Sequence, residues 1–177
     1  FLKLKVKFII MKNLIIILSV WFMVVSCTQP APDTSPFDEG VAKFEKNKAI
    51  ADATFNLFEN GDLETFMNNY ADDLVWSPPN TNDSLSMEAF AEGMKGWHAD
   101  FENFKFKDRQ YYPGVSDGDY IPDGGVRVYG TWHYNHKATG KVLETKYYGV
   151  FQFNEEGKIA YDLEWFDLGG IFAQLEE

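Results

Sequence analysis

The sequence is poor in cysteine, histidine and basic residues, and each shortage argues against a particular kind of structure or partner. Its 177 residues include one Cys, three His, and 16 Lys and Arg against 27 Asp and Glu. A lone Cys cannot form a disulfide within the chain, so the core must hold the fold together. The formal net charge of −11 gives a surface that repels nucleic acid and anionic lipid headgroups. Nucleic acid is therefore not an expected partner.

Motifs for metal, phosphate and nucleophile chemistry are also missing. No Gly-rich phosphate loop follows a predicted strand, and the chain has no nucleophile elbow. His133 and His136 are three residues apart on a predicted strand and so point to opposite faces. No further nitrogen or thiolate ligand lies near them in the sequence. Neither a metal site nor a cofactor is expected.

The longest apolar run predicts a targeting segment. Residues 14–25 are apolar and follow Met11-Lys12, but twelve residues are too few to span a bilayer. The run ends at Ser26-Cys27, which resembles a bacterial lipobox, in which the thiol of Cys27 would receive a lipid. The alternative is an ordinary secretory signal that happens to contain a Cys. Residues 1–26 are therefore predicted to be upstream residues and a signal peptide.

The segment after this signal is predicted to be a tether. Residues 27–37 contain three Pro and almost no apolar side chain, a composition typical of linkers. Thr28, rather than Asp, follows Cys27, which by the usual lipoprotein sorting pattern implies the outer membrane. Without residues 1–26, 12 basic residues would face 27 acidic ones, for a net charge of −15. We therefore expect a domain at residues 38–177 that is anchored to the cell envelope only by the lipid.

Three helices are predicted at the start of this domain. Residues 38–60 carry apolar side chains near helical spacing, and Gly61 ends that helix. Asp62 can cap a second, short helix. A brief strand at residues 74–77 follows, and Ser86 caps a third helix. The apolar stripe of the third helix consists of Met87, Phe90, Met94, Trp97, Phe101 and Phe104.

The remainder of the chain predicts antiparallel strands. In residues 104–112, every second side chain from residue 105 to residue 109 is basic. This basic set is expected to face water. That set consists of Lys105, Lys107 and Arg109. Residues 113–125 are rich in Gly and Asp and predict a long loop, a candidate lid. Two strands follow at residues 126–135 and 143–153, and a last strand at residues 159–166.

The turn around Gly140 determines which side chains of two strands share a face. If Gly140 is the left-handed residue of a three-residue loop, His133 opposes Thr145 and Thr131 opposes Tyr147. One face then carries Arg127, Tyr129, Thr131, His133, Thr145, Tyr147, Phe151 and Phe153. The other carries Val128, Trp132, Tyr148, Val150, Leu163 and Trp165. A one-residue slip in the turn would exchange the two sets.

Two stretches resemble SnoaL-like members of the nuclear transport factor 2-like superfamily. They are residues 60–79, NGDLETFMNNYADDLVWSPP, and residues 153–175, FNEEGKIAYDLEWFDLGGIFAQL. The resemblance implies an α+β cone, in which three N-terminal helices pack on a strongly curved, mostly antiparallel sheet and enclose a pocket. It also implies that the convex face commonly forms a dimer. The superfamily includes polyketide cyclases, isomerases, hydrolases, dehydratases and members with no known catalysis.

The candidate site lies on the last strand. Asp162 and Glu164 share one face because side chains two apart in a strand point the same way. The register above brings His133 to them, and an imidazole beside a carboxylate can transfer protons near neutral pH. Alternatively, the three form a polar network that binds a ligand. The residues expected to bind that ligand are Trp76, Tyr129, Thr131, Tyr147 and Phe166.

Two functions follow from this interpretation. The first is an envelope lipoprotein whose cavity binds a small hydrophobic or amphipathic molecule without catalysis. The alternative is a cofactor-independent lyase, isomerase, cyclase or hydrolase that uses His133, Asp162 and Glu164. An aromatic and apolar patch on the face left uncovered by helices predicts a homodimer. That patch consists of Trp132, Tyr148, Leu163 and Trp165.

Overall fold

Four helices and five strands follow one another along residues 34–176, the part of the chain that this computed structural model describes. The helices are α1 (Pro36–Asn60), α2 (Leu63–Met67), α3 (Met87–Asp100) and α4 (Leu168–Glu176). The strands are β1 (Tyr70–Ser77), β2 (Phe101–Val115), β3 (Pro122–His136), β4 (Val142–Phe153) and β5 (Ile159–Phe166).

The five strands form one curled, unclosed sheet in the order β1-β5-β4-β3-β2. The pair β1–β5 is parallel, and the other three pairs are antiparallel. The helices pack on this sheet, and α1 lies against β2 and β3. The predicted α+β cone is therefore confirmed.

Local sequence signals position the first three helices as expected. The Asp62 side chain accepts a hydrogen bond from Thr65 N at 3.1 Å and caps α2. Ser86 caps α3 in the same way, through Ala89 N at 3.4 Å. These caps satisfy backbone donors that have no partner inside the helix. Gly61 adopts φ 75° where α1 ends, a conformation that glycine tolerates best.

Two bulges in β2 alter the predicted pattern of inward and outward side chains. The helix α3 ends at Asp100, so Phe101 and Phe104 belong to β2 rather than to the helical stripe. Asn103 and Asp108 have φ of 58° and 55°, and the pairing with β3 shifts at both places. Asn and Asp are the non-glycine residues that most often adopt such angles. Each bulge adds a residue and so reverses which side chains point inward.

The second bulge turns Arg109 toward α1, so the prediction that it faces water is wrong. Its Nη1 lies 2.8 Å from Asp52 Oδ1, and its Nη2 donates to Glu59 Oε1. The hydroxyl of Tyr111 donates to Asp52 Oδ1 at 2.7 Å. Lys107 remains exposed, as predicted. Arg109 and Tyr111 therefore fasten the first helix to the sheet.

The predicted register between β3 and β4 is wrong by one residue. His136 N donates to Lys141 O at 2.9 Å, which closes a loop of four residues, 137–140, rather than three. His133 therefore pairs with Glu144, not Thr145. The slip moves the odd-numbered side chains of β3 to the convex face. The even-numbered set is the apolar one, and it is placed beneath the helices: Val126, Val128, Trp132 and Tyr134.

The other differences lie at the ends of elements. The long loop predicted at residues 113–125 is mostly strand, and only residues 116–121 link β2 to β3. The helix α4 was not predicted; the carboxylate of Asp167 caps it by accepting from Gly170 N at 2.8 Å. The strand β1 begins at Tyr70, whereas the prediction began it at residue 74.

The predicted signal peptide, Cys27 and the first part of the tether lie outside the described residues. The helix α1 begins at Pro36, two residues before the predicted start of the domain. No helix within residues 34–176 is long and apolar enough to cross a membrane.

Candidate functional site

A cavity of about 70 Å³ lies between the helices and the concave face of the sheet. Most of its wall is aromatic or aliphatic. The helices contribute Phe55, Phe58, Phe66, Phe90, Met94, Trp97 and Ile171. The strands contribute Tyr70, Phe104, Trp132, Tyr134, Thr145, Tyr147, Phe151, Asp162, Glu164 and Phe166.

Glu164 is a half-buried carboxyl with two neutral hydrogen-bond donors. Trp76 Nε1 donates to Glu164 Oε2 at 2.9 Å, and the hydroxyl of Tyr147 donates to Glu164 Oε1 at 3.3 Å. Trp76 approaches from the neighbouring strand β1, where it pairs with Asp162 of β5. Glu164 therefore lines the cavity and bonds to a tyrosine.

A glycine lets Tyr147 reach Glu164. Gly149 pairs with Glu164 across β4 and β5. A methyl group at Gly149 would lie 2.7 Å from the hydroxyl oxygen of Tyr147, which is shorter than a normal contact. The ring of Tyr147 can therefore lie over position 149 only because glycine has no side chain.

Asp162 is the most deeply buried ionisable group of the cavity. It is 1% exposed, and its Oδ2 accepts a long hydrogen bond from the hydroxyl of Tyr70 at 3.4 Å. Its Oδ1 has no hydrogen-bond partner among residues 34–176. Burial, followed by repulsion from the Glu164 carboxylate, raises the pKa of Asp162 well above its usual range. The surroundings of Asp162 therefore favour its protonated form.

The two carboxyl groups have different surroundings, which affect their pKa values differently. Burial raises the pKa of Glu164, while the hydrogen bonds from Trp76 and Tyr147 oppose that rise. Burial and the nearby acids raise the pKa of Tyr70 and Tyr147, so both phenols stay neutral. A pair of acids whose pKa values are pushed apart can supply one donor and one acceptor. These surroundings favour Asp162 as the donor and Glu164 as the acceptor.

The structure brings together four of the side chains predicted for the site and adds others. Asp162, Glu164, Tyr147 and Phe166 all line the cavity. The side chains that sequence reasoning missed include Tyr70, Trp132 and Tyr134. The hydroxyl of Tyr134 forms a second polar point in the wall with Thr145 Oγ1, at 2.6 Å.

His133, Tyr129 and Thr131 do not belong to the cavity. The one-residue slip in the β3–β4 register places all three on the convex face of the sheet. There the Nδ1 of His133 lies 3.0 Å from Glu144 Oε1. The prediction that His133 stands beside Asp162 and Glu164 is therefore wrong, because side chains one residue apart in a strand point to opposite faces.

Metal ligands do not converge in the part of the chain that the structure describes. Residues 34–176 contain no group of three or more His, Cys, Asp or Glu side chains placed to hold an ion.

Several solved structures share this fold at low sequence identity. A proposed polyketide cyclase from Xanthomonas campestris is 15% identical, with a TM-score of 0.62 over 75% of this chain and 98% of that one. A proposed isomerase from Bacillus subtilis is 13% identical, with a TM-score of 0.63 over 76% and 95%. A nuclear transport factor 2-like protein from Burkholderia xenovorans is 15% identical, with a TM-score of 0.57 over 74% and 96%. The fold is thus the nuclear transport factor 2-like cone.

The sequence itself specifies the family. The family model of the SnoaL-like domain matches residues 51–161, and the chain belongs to that family. None of the curated proteins matches it.

Proposed function

We propose that the domain binds a small, mainly apolar molecule that carries one polar group. The observation that carries this proposal is Asp162 Oδ1, a buried oxygen without a partner in the wall of an otherwise aromatic cavity. An unsatisfied buried polar atom costs about 1–3 kcal/mol. A ligand that bonds to Asp162 would recover that free energy while its apolar part is removed from water.

The dimensions of the cavity suit a small ligand. Its volume of about 70 Å³ is several times the roughly 10–15 Å³ that one water molecule needs. Rings such as Trp97 and Phe166, with centroids 5.9 Å apart, provide flat apolar contacts. Glu164 and Asp162 on β5 would fix the orientation of the polar end.

Glu164→Gln tests the binding site. The amide has nearly the same shape but removes a charge-assisted hydrogen bond, which contributes about 1.5–3 kcal/mol. We expect at least about tenfold less co-purifying small molecule, measured by mass spectrometry of extracts, with the fold retained by circular dichroism. Glu102→Gln, on an exposed part of β2, is the matched control and should retain the full amount. Wild-type protein that carries no small molecule would contradict the proposal.

Acid–base catalysis is the second candidate, and the carboxyl pair favours it. A protonated Asp162 beside an ionised Glu164 can donate one proton and accept another. His133 takes no part in this version, since it lies on the other face of the sheet. The same variant separates the two candidates, because loss of a general base lowers kcat by about 10²–10⁴ while leaving ligand affinity similar. At a site that only binds, the variant should lower ligand affinity, and there is no turnover to lose.

We also propose that the domain is lipid-anchored in the cell envelope. The support is the Ser26-Cys27 junction after a short apolar run. Replacing Cys27 by Ser removes the only thiol that could carry a lipid. We expect wild-type protein in the membrane fraction, with the outer membrane, and Cys27→Ser in the soluble fraction after signal cleavage. A Cys27→Ser protein that remains membrane-bound after cleavage would contradict the lipid anchor.

The last proposal is a homodimer through the convex face. Trp132 lies in the cavity, so the patch differs from the predicted one: it contains Tyr112, Tyr129, Tyr148 and Trp165. Tyr129 and Tyr148 are stacked at 4.6 Å, and Trp165 is 65% exposed. Aromatic residues are enriched in interfaces. The four side chains are neutral, so two acidic copies can meet there without placing like charges in contact.

Trp165→Asp tests the dimer. A carboxylate at this end of the patch would be buried against an apolar surface without a partner. Analytical ultracentrifugation at micromolar concentration should show a dimer for the wild type and a monomer for the variant. Val142→Asp, at an exposed apolar position near the hairpin turn, is the control and should remain dimeric. A wild type that sediments as a monomer would refute the interface.

A further inference from the structure

We propose that the molecule bound in this cavity is a small organic cation, an ammonium ion with an apolar substituent, whose N–H groups are held by Asp162 and Glu164. This inference rests on the proposed binding function and adds the chemical class of the ligand.

The first argument is the charge of the wall. Of the 17 side chains that line the cavity, two are acids and none is basic. Within residues 34–176, neither Asp162 nor Glu164 forms an ion pair. Their protein partners are neutral donors: Trp76 Nε1 and the hydroxyls of Tyr70 and Tyr147. Buried carboxylates are ordinarily compensated by an opposite charge, and here only the ligand can bring one.

The second argument is the direction of the missing hydrogen bond. Asp162 Oδ1 is a buried oxygen that bonds to nothing in the described chain. A primary ammonium group has three donors and no acceptor, so it can satisfy Asp162 and Glu164 together. A ligand carboxylate would instead be repelled by Glu164. A neutral hydroxyl could accept from a protonated Asp162 and donate to Glu164, but it brings no charge to compensate the acids.

The third argument is the aromatic surface around the acids. The faces of aromatic rings attract cations, most strongly when the contact is desolvated. Tyr147 and Phe166 are stacked with centroids 6.3 Å apart, and Trp97 meets Phe166 edge-on. These rings also provide apolar contact for the substituent on the nitrogen. The cavity therefore offers both charge compensation and apolar burial to the same molecule.

The carboxyl pair makes binding release a proton. The titratable groups that line the cavity are Asp162, Glu164 and the three phenols, Tyr70, Tyr134 and Tyr147. Without a ligand, burial and the Glu164 carboxylate raise the pKa of Asp162 and favour its protonated form. A bound ammonium ion favours the ionised form of both acids, so Asp162 loses its proton when the cation binds. Affinity should rise with pH for the same reason.

Three probes of nearly the same shape test the charge preference. Benzylammonium, benzyl alcohol and benzoate are titrated into the full chain by calorimetry near pH 8. We expect benzylammonium to bind about tenfold or more tightly than benzyl alcohol, and benzoate more weakly than either. The heat of benzylammonium binding should change with the ionisation enthalpy of the buffer, which reports the released proton.

Two variants test whether the charge preference depends on Glu164 and the proton release on Asp162. Glu164→Gln should bring the ratio of benzylammonium to benzyl alcohol affinity close to one, whereas Glu102→Gln should keep it. Asp162→Asn should abolish the buffer dependence. Tighter or equal binding of benzyl alcohol to the wild type would overturn the cation proposal and leave the proposed function standing. Binding of none of the three probes would overturn both.

Discussion

Asp162→Asn should become progressively more stable than the wild type as the pH rises from about 4 to 8. In the unfolded chain an aspartate has its ordinary pKa of 3.8, whereas burial and Glu164 raise the pKa of Asp162 in the folded state. Below about pH 4 both states are protonated, and the carboxyl contributes nothing. Above it the unfolded chain releases the proton that the folded protein keeps, so wild-type stability falls until the folded pKa is passed. Asparagine cannot ionise and avoids this loss.

Each pKa unit of upward shift corresponds to about 1.4 kcal/mol. We therefore expect the variant to gain on the order of 1 kcal/mol or more over the wild type between pH 4 and pH 8, in the free energy of unfolding by urea. Asp72→Asn, at an exposed position of β1, should follow the wild type throughout. A difference between Asp162→Asn and the wild type that does not change with pH would show that Asp162 is ionised in the folded protein.

Arg109→Ala should destabilise the domain by about 2–4 kcal/mol. The guanidinium bonds to Asp52 and Glu59 on α1 and lies over the rings of Phe55 and Phe106, at 5.7 and 5.4 Å. Removing it leaves Glu59, a mostly buried acid, with weaker partners. Breaking a buried ion pair by removing one partner costs about 3–5 kcal/mol, and the partial exposure of Asp52 lowers the expected cost by about 1 kcal/mol.

Urea unfolding followed by circular dichroism measures this loss. Lys107→Ala is the matched control, because Lys107 is a basic residue on the same strand that faces water. It should change stability by less than about 0.5 kcal/mol. If Arg109→Ala is as mild as Lys107→Ala, Arg109 does not hold α1 on the sheet.

The sequence was sufficient for the elements whose signals are local. Asp62 and Ser86 cap helices because their side chains accept bonds from backbone donors nearby. The acids of β5 were correctly placed on one inner face, because the period of a strand is two regardless of its neighbours. Asp162 and Glu164 were therefore found without knowledge of the sheet.

The register of the β3–β4 hairpin depends on whether its loop has three or four residues. Gly140 does not distinguish the two lengths. Gly140 has the predicted left-handed φ, 70°, in a four-residue loop as it would in a three-residue one. The composition of β3 contained the missing signal. Its even positions hold Val126, Val128, Trp132 and Tyr134, whereas its odd positions hold Arg127 and His133. Burying the uncharged set requires the observed register.

The pattern of β2 was not predictable from alternation because two bulges interrupt it. Asn103 and Asp108 occupy the positive-φ positions, and each reverses the direction of the side chains that follow. Either residue type is common in loops and in strand edges, so the sequence does not distinguish a bulge from an ordinary polar position. The inward turn of Arg109 followed from the second bulge.

The central claim is that Asp162 and Glu164 form a buried pair in the cavity, with the proton on Asp162. A ¹³C NMR titration of the side-chain carboxyl carbons tests it directly, with Asp162→Asn and Glu164→Gln to assign the signals. We predict that Asp162 keeps the shift of a protonated carboxyl at pH 7, and that its titration moves to lower pH in Glu164→Gln. Titration of Asp162 near its ordinary pKa of 3.8, unaffected by Glu164→Gln, would contradict the claim.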